Sequence, residues 1–108
     1  MLNDIITFNE YECHIVKKSY SNGRLALQLM NAKSLKEPNY SMQLGTECIA
    51  TVTINLPNED IADDEIFIKN YSENEGMLEA LLEANVISKP IKYVKIGFVE
   101  VPLCKILI

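Results

Sequence analysis

At 108 residues, with 48% hydrophobic and 23% charged side chains, the chain has the composition of one globular domain rather than of a disordered tail. A net charge of −5, with no basic stripe interleaved with aromatics, argues against direct nucleic-acid binding, which draws its affinity from neutralising phosphates. The opening MLNDIITFNE has neither the basic start nor the apolar run of a signal peptide, and no stretch approaches the roughly 18–20 apolar residues of a membrane helix. A cytoplasmic protein with no membrane contact is therefore expected.

DIITF (4–8) reads as a short strand, and Asn9-Glu10 as a turn into YECHIVKKSY (11–20). There Tyr11, Cys13 and Ile15 alternate with Glu12 and His14, the period of a half-buried strand. Asn22-Gly23 is a strong hairpin signal, and both residues tolerate the positive φ of a type I′ turn. The return strand places Leu25, Leu27 and Leu29 on one face and Arg24, Ala26 and Gln28 on the other.

Residues 31–47 have no sustained period and hold Pro38 and Gly45, so they read as a long loop of the kind that often carries function. ECIATVTINLP (47–57) then alternates Cys48, Ala50, Val52, Ile54 and Leu56 against Ile49, Thr51, Thr53 and Asn55, a strand closed by Pro57. NEDIADDE is an acidic loop, and EIFIKN a short strand.

In NYSENEGMLEALLEAN (70–85), Ser72 and Glu75 have the spacing of a capping box. Glu73 and Glu75 would sit in the positive field of the helix N-terminus. Met77, Leu78, Leu81 and Leu82 form one apolar stripe, and Asn85 is placed to end the helix in a left-handed conformation. Gly76 falls inside the first turn, at a cost near 1 kcal/mol against alanine. The tail is strand-rich: Gly97 suggests a bulge or close approach, Pro102 an edge or a break, and 106–108 a paired edge strand or a dimer contact. Together these elements predict a single α+β domain over 1–108. It is a curved antiparallel sheet of about 5–7 strands with an N-terminal hairpin, and one helix (about 73–84) packs on it.

No catalytic motif is present: no G-x-S-x-G, Walker loop, H-E-x-x-H or C-x-x-C. Cys13, Cys48 and Cys104 are widely spaced within apolar runs, as small hydrophobes are, and His14 falls on the opposite strand face from Cys13. No catalytic residue, metal or cofactor is expected, and the protein is read as a non-enzyme. Charge is the distinctive feature. From Glu59 to Glu83 nine acids face one base, Lys69, and on a helix Glu75, Glu79 and Glu83 would follow at i+4 at a small repulsive cost. Part of this charge serves solubility and helix initiation. The remainder (Glu59, Asp60, Asp63, Asp64, Glu79 and Glu83) forms the candidate partner-binding set, an acidic patch steering association with a basic protein surface.

Four segments, KKSYSNGRLALQL (17–29), ATVTINLP (50–57), IKNYSENEGMLEALLEANVI (68–87) and GFVEVPLCKI (97–106), cover about half the chain in collinear order. On them the sequence resembles a family of uncharacterised small proteins, a domain of unknown function encoded by phages, plasmids and conjugative elements, mainly of Firmicutes. Residues 31–47 depart from that pattern, where family members carry a shorter acidic or Gly-Glu-Pro turn. The resemblance implies a mobile-element setting and no particular activity. Small acidic proteins of such elements include anti-CRISPR inhibitors of Cas nucleases. The leading expectation is thus a counter-defence interaction protein whose acidic surface meets the nucleic-acid-binding surface of a host nuclease such as Cas9. The alternatives are a small-molecule binder, for instance of a nucleotide signal, and an accessory protein of element replication or transfer.

Overall fold

The computed structural model describes residues 5–32 and 48–108. The loop expected at 31–47 lies almost wholly outside the described residues. The elements in chain order are β1 (Ile5–Phe8), β2 (Tyr11–Ser19), β3 (Leu25–Asn31), β4 (Cys48–Thr51), β5 (Glu65–Phe67), α1 (Met77–Glu83), β6 (Lys92–Ile96) and β7 (Val99–Lys105). They form two antiparallel sheets, β1-β2-β3-β4 and β5-β7-β6. The chain beyond β4 joins them: Thr53 bridges Ile68, Ile54 N–H donates to the Phe67 carbonyl at 3.1 Å, and Lys69 N–H to that of Val52 at 2.8 Å. The fold is therefore the expected α+β class, with seven strands and one short helix among the described residues.

Alternation along the strands builds the main core. Ile6, Phe8, Cys13, Leu27 and Leu29 of the first sheet close on Ile66 and Cys104 of the second, on Ile68 just beyond β5 and on Met77, Leu78 and Leu81 of α1. The opposite face of the second sheet carries a smaller core of Phe67, Val101 and Leu103. Ile54, Leu56, Ile61 and Tyr71 pack over it, so the acidic loop is anchored by its own apolar residues.

Both N-terminal turns differ from their simplest reading. Asn9 and Glu10 have φ of 49° and 70°, so the type I′ geometry belongs to this two-residue turn between Phe8 and Tyr11. At Asn22-Gly23 only the glycine is left-handed, at +86°. Gly23 N–H donates to the Tyr20 carbonyl at 2.9 Å, and Tyr20 N–H to that of Arg24 at 2.8 Å. This is a type I turn followed by a glycine bulge, the alternative hairpin closure with one more loop residue.

A second bulge alters the reading of β4. Leu29 pairs with Ala50 but Met30 with Cys48, leaving Ile49 extra. Cys48 is thereby thrown to the face away from Ala50 and is exposed, whereas Cys13 and Cys104 are buried.

The helix also starts later than expected. Ser72–Asn74 form a single 3₁₀ turn, Ser72 itself sits at φ 59°, and no side chain caps that turn. The capping box does not form. The α-helix begins after Gly76, which is the N-cap residue at φ 93° rather than a first-turn residue, so Glu75 and Glu73 lie outside α1. Asn70 supplies the missing cap from a distance, its Oδ1 accepting Leu78 N–H at 2.8 Å. Glu73 instead meets Lys69 Nζ at 2.6 Å; that bond, with its own amide and Ser72, lowers its carboxyl from 4.5 to about 2. The C-terminus follows expectation. Asn85 is left-handed at φ 60°, and the Asn85 and Val86 amides bond back to the Leu82 and Leu81 carbonyls, a Schellman motif.

Pro102 is buried in β7, the central strand of its sheet, so of the expected edge or break it is the edge that does not occur. Its carbonyl accepts Ile68 N–H at 3.0 Å on the β5 side, its ring nitrogen can return no bond, and β5 ends at Phe67. Gly97 is neither bulge nor close approach: with Phe98 it is the two-residue loop between the Ile96–Val99 pair, and nothing lies within 4 Å of a Cβ built there. The last residues are paired within the chain: Ile106 bridges Ile87, and Leu107 N–H donates to the Val86 carbonyl at 2.8 Å.

Candidate functional site: an acidic loop clamped by a hairpin turn

The acidic loop between β4 and β5 is held by the β2–β3 turn, and three turn residues do the holding. Tyr20 Oη shares a 2.8 Å hydrogen bond with the buried Thr53 hydroxyl. Asn22 Nδ2 donates to Asn55 Oδ1 at 3.3 Å. Arg24 donates Nη1 to the Leu56 carbonyl at 2.7 Å and Nη2 to the Glu59 carbonyl. Its guanidinium thus fixes backbone, and it forms no ion pair with the neighbouring carboxylates among the described residues. The loop closes on itself by two further turns, Glu59 N–H to the Leu56 carbonyl at 3.0 Å and Glu65 N–H to that of Ala62 at 3.1 Å. Glu65 Oε1 takes Ala62 N–H at 2.8 Å, which spends that carboxylate on structure.

The six candidate acids fall into two groups. Asp60, Asp63 and Asp64 are exposed on the clamped loop, and Glu59 beside them is half-buried. Glu79 and Glu83 are exposed on α1, opposite the face that buries Met77, Leu78 and Leu81. The helix packs against β1, which pairs with residues 11–14 of β2, the end remote from the turn that holds the loop. No hydrogen bond or ion pair joins the two groups among the described residues. Asp64 faces Lys105 at 3.7 Å with both side chains about half exposed, a pair worth little in water. Asp60, Asp63, Glu79 and Glu83 carry no salt bridge among the described residues.

Between the hairpin turn and the loop runs an open cleft of about 430 Å³, lined by Asn22, Arg24, Leu25, Ile61, Asp63 and Glu65 among others. Among the described residues no aromatic side chain lines it, and two acids do. The chain matches no family model, no curated protein and no solved structure.

Cys13 and Cys104 lie in the packed core. Burial pushes the Cys13 and Cys104 thiols up to about 11, where the reactive thiolate is scarce at neutral pH. His14 is partly exposed on the sheet face away from Cys13, and its buried Nδ1 has no hydrogen-bond partner among the described residues. No group of three or more His, Cys, Asp or Glu able to hold a metal ion occurs among the described residues. Sequence reasoning missed Arg24, which reads locally as a solvated cation at a hairpin tip. Its partners are main-chain carbonyls more than 30 positions away, and carbonyls leave no signature in a sequence.

Proposed function

We propose that the protein is a non-enzymatic interaction protein that presents unpaired carboxylates to a basic, nucleic-acid-binding surface of a host nuclease such as Cas9. The observation that carries this reading is the Arg24 clamp. An arginine beside a run of acids ordinarily neutralises them, yet here it spends its donors on the Leu56 and Glu59 carbonyls. The loop is fixed while Asp60 and Asp63 keep their charge. Carboxylates held in place before binding pay less ordering entropy on association, and desolvated opposite arginine or lysine they stand where phosphates would. The resemblance of four segments to proteins of phages and plasmids supports a counter-defence role. The 430 Å³ cleft favours a small-molecule reading only weakly, because Asp63 and Glu65 at its wall repel phosphate and no aromatic among the described residues is there to stack a base.

The test is inhibition of DNA cleavage by a guide-loaded Cas9, with binding followed across salt. Inhibition is expected at low salt and should weaken steeply towards moderate salt, as screening shortens the reach of the acids. Reversal of Asp63, Asp64, Glu79 and Glu83 to lysine should abolish it. Undiminished inhibition by that variant, or none by the unaltered protein at low salt, would defeat the reading.

A further inference from the structure

Four of the six large hydrophobic side chains exposed among the described residues, Ile91, Tyr93, Ile96 and Phe98, lie on the β6–β7 hairpin or its entry. Phe98 at the tip is fully exposed, and β6 is the outer strand of its sheet, with no partner on its free edge among the described residues. Edge strands of this kind are normally blunted, covered or paired. Lys92 and Lys95 are the natural blunting device, and the register determines whether they act as one.

Hydrogen-bond parity comes first. Pairs in an antiparallel ladder alternate between those that exchange main-chain bonds and those that do not. Pro102 has no N–H and its carbonyl is given to Ile68, so the Tyr93–Pro102 pair exchanges none. Tyr93, and with it Lys95, therefore turns its N–H and C=O to the free edge, whereas Lys92, Val94 and Ile96 bond inward to β7. A second strand can only meet Tyr93 and Lys95.

Two-fold pairing of β6 with itself, centred on Val94, satisfies this parity over the whole strand. Tyr93 falls opposite Lys95 of the second copy and Lys95 opposite its Tyr93, so both outward residues gain reciprocal main-chain bonds. Lys92 falls opposite Ile96, Val94 opposite Val94, and Phe98 comes level with Pro90. No lysine faces a lysine. Of the neighbouring registers of the same parity, one sets Lys95 against Lys95. The other sets Lys95 against Ile91, whose N–H is already given to the Leu103 carbonyl at 2.7 Å. The lysines thus exclude a competing register and leave the central one open. Val94 shares a face with Val101 and Leu103, so the smaller core would continue across the join. An acidic strand or a phosphate backbone fits less well, because Lys92 and Lys95 point to opposite faces.

We propose that the protein is a two-fold dimer joined edge to edge through β6, making one continuous six-stranded sheet. The measurement is the mass of the full chain in solution by sedimentation equilibrium, from micromolar to submillimolar concentration. Twice the 12.2 kDa chain mass is expected. Tyr93→Lys sets lysine against lysine at both reciprocal pairs and should raise the dissociation constant about tenfold or more. Tyr93→Glu sets a carboxylate against Lys95 and should keep the dimer. Position 93 is 54% exposed, so neither variant disturbs the monomer fold, which far-ultraviolet circular dichroism checks. A single-copy mass at submillimolar concentration overturns the proposal, as does an equal response of the two variants. A single-copy protein that shifts on adding oligothymidylate or polyglutamate overturns it too, and gives the edge to that occupant.

Discussion

Gly76 holds φ at +93°, and among the described residues beyond its own local backbone no atom lies within 4 Å of where a Cβ would stand. A side chain there meets space but strains the backbone, because the left-handed region costs an L-residue roughly 1–2 kcal/mol. Helix propensity alone makes the opposite forecast, a gain near 1 kcal/mol for alanine over glycine. Gly76→Ala should therefore destabilise by about 1–2 kcal/mol, read as a lower urea midpoint at unchanged slope. A raised midpoint would mean that the helix extends back through residue 76, as the spacing of Ser72 and Glu75 suggests. Asn85 is the counterpart at the other end of α1. It takes the same backbone region, and its position was legible because asparagine tolerates that region and the apolar stripe stops there. Gly76 was not legible, since a capping-box spacing and a left-handed glycine compete for the same turn. The tertiary bonds of Asn70 to Leu78 N–H and of the buried Asn74 Nδ2 to the Thr51 carbonyl at 2.6 Å favour the glycine.

Among the elements, the acidic loop owes its shape to another element, the β2–β3 turn. Arg24→Ala removes two charge-assisted bonds to carbonyls, each worth roughly 1.5–3 kcal/mol in mutational series when buried. Arg24 is only partly buried, so the lower end applies, and a loss of about 1–3 kcal/mol is expected in total. The more specific expectation is local: amides of residues 56–65 should lose hydrogen-exchange protection while those of β2 and β3 keep it. Uniform loss over the whole sheet would show that Arg24 supports the fold rather than the loop. The same contrast explains what the sequence made visible. Strand periodicity located both N-terminal strands and the leucine face, because each depends on residues two apart, and Asn22-Gly23 located their hairpin. The bulge at Ile49, the central placing of Pro102 and the exposure of Cys48 depend on which strand lies alongside, which only the assembled sheet determines.

For the molecule as a whole, the two helical acids that the proposal uses are ones the fold would be better without. Glu79 and Glu83 stand at i and i+4, a like-charge pair costing a few tenths of a kcal/mol, and Glu83 is the last helical residue, where the macrodipole favours a cation. Neither carries a salt bridge among the described residues. Glu83→Lys removes the repulsion, adds an attraction and complements the helix end. It should raise stability by roughly 0.5–1 kcal/mol, an increase of a few degrees in Tm for a domain of this size. In the same variant, binding to a basic partner should weaken and lose part of its salt dependence, because one contact has changed sign. Stability and binding thus move in opposite directions under one substitution. A variant that loses both stability and binding would show that Glu83 serves the helix, and one that gains stability with binding intact would remove α1 from the partner surface. The β6 edge provides the control: it lies on a different element from α1, so the sedimentation mass should not respond to Glu83→Lys.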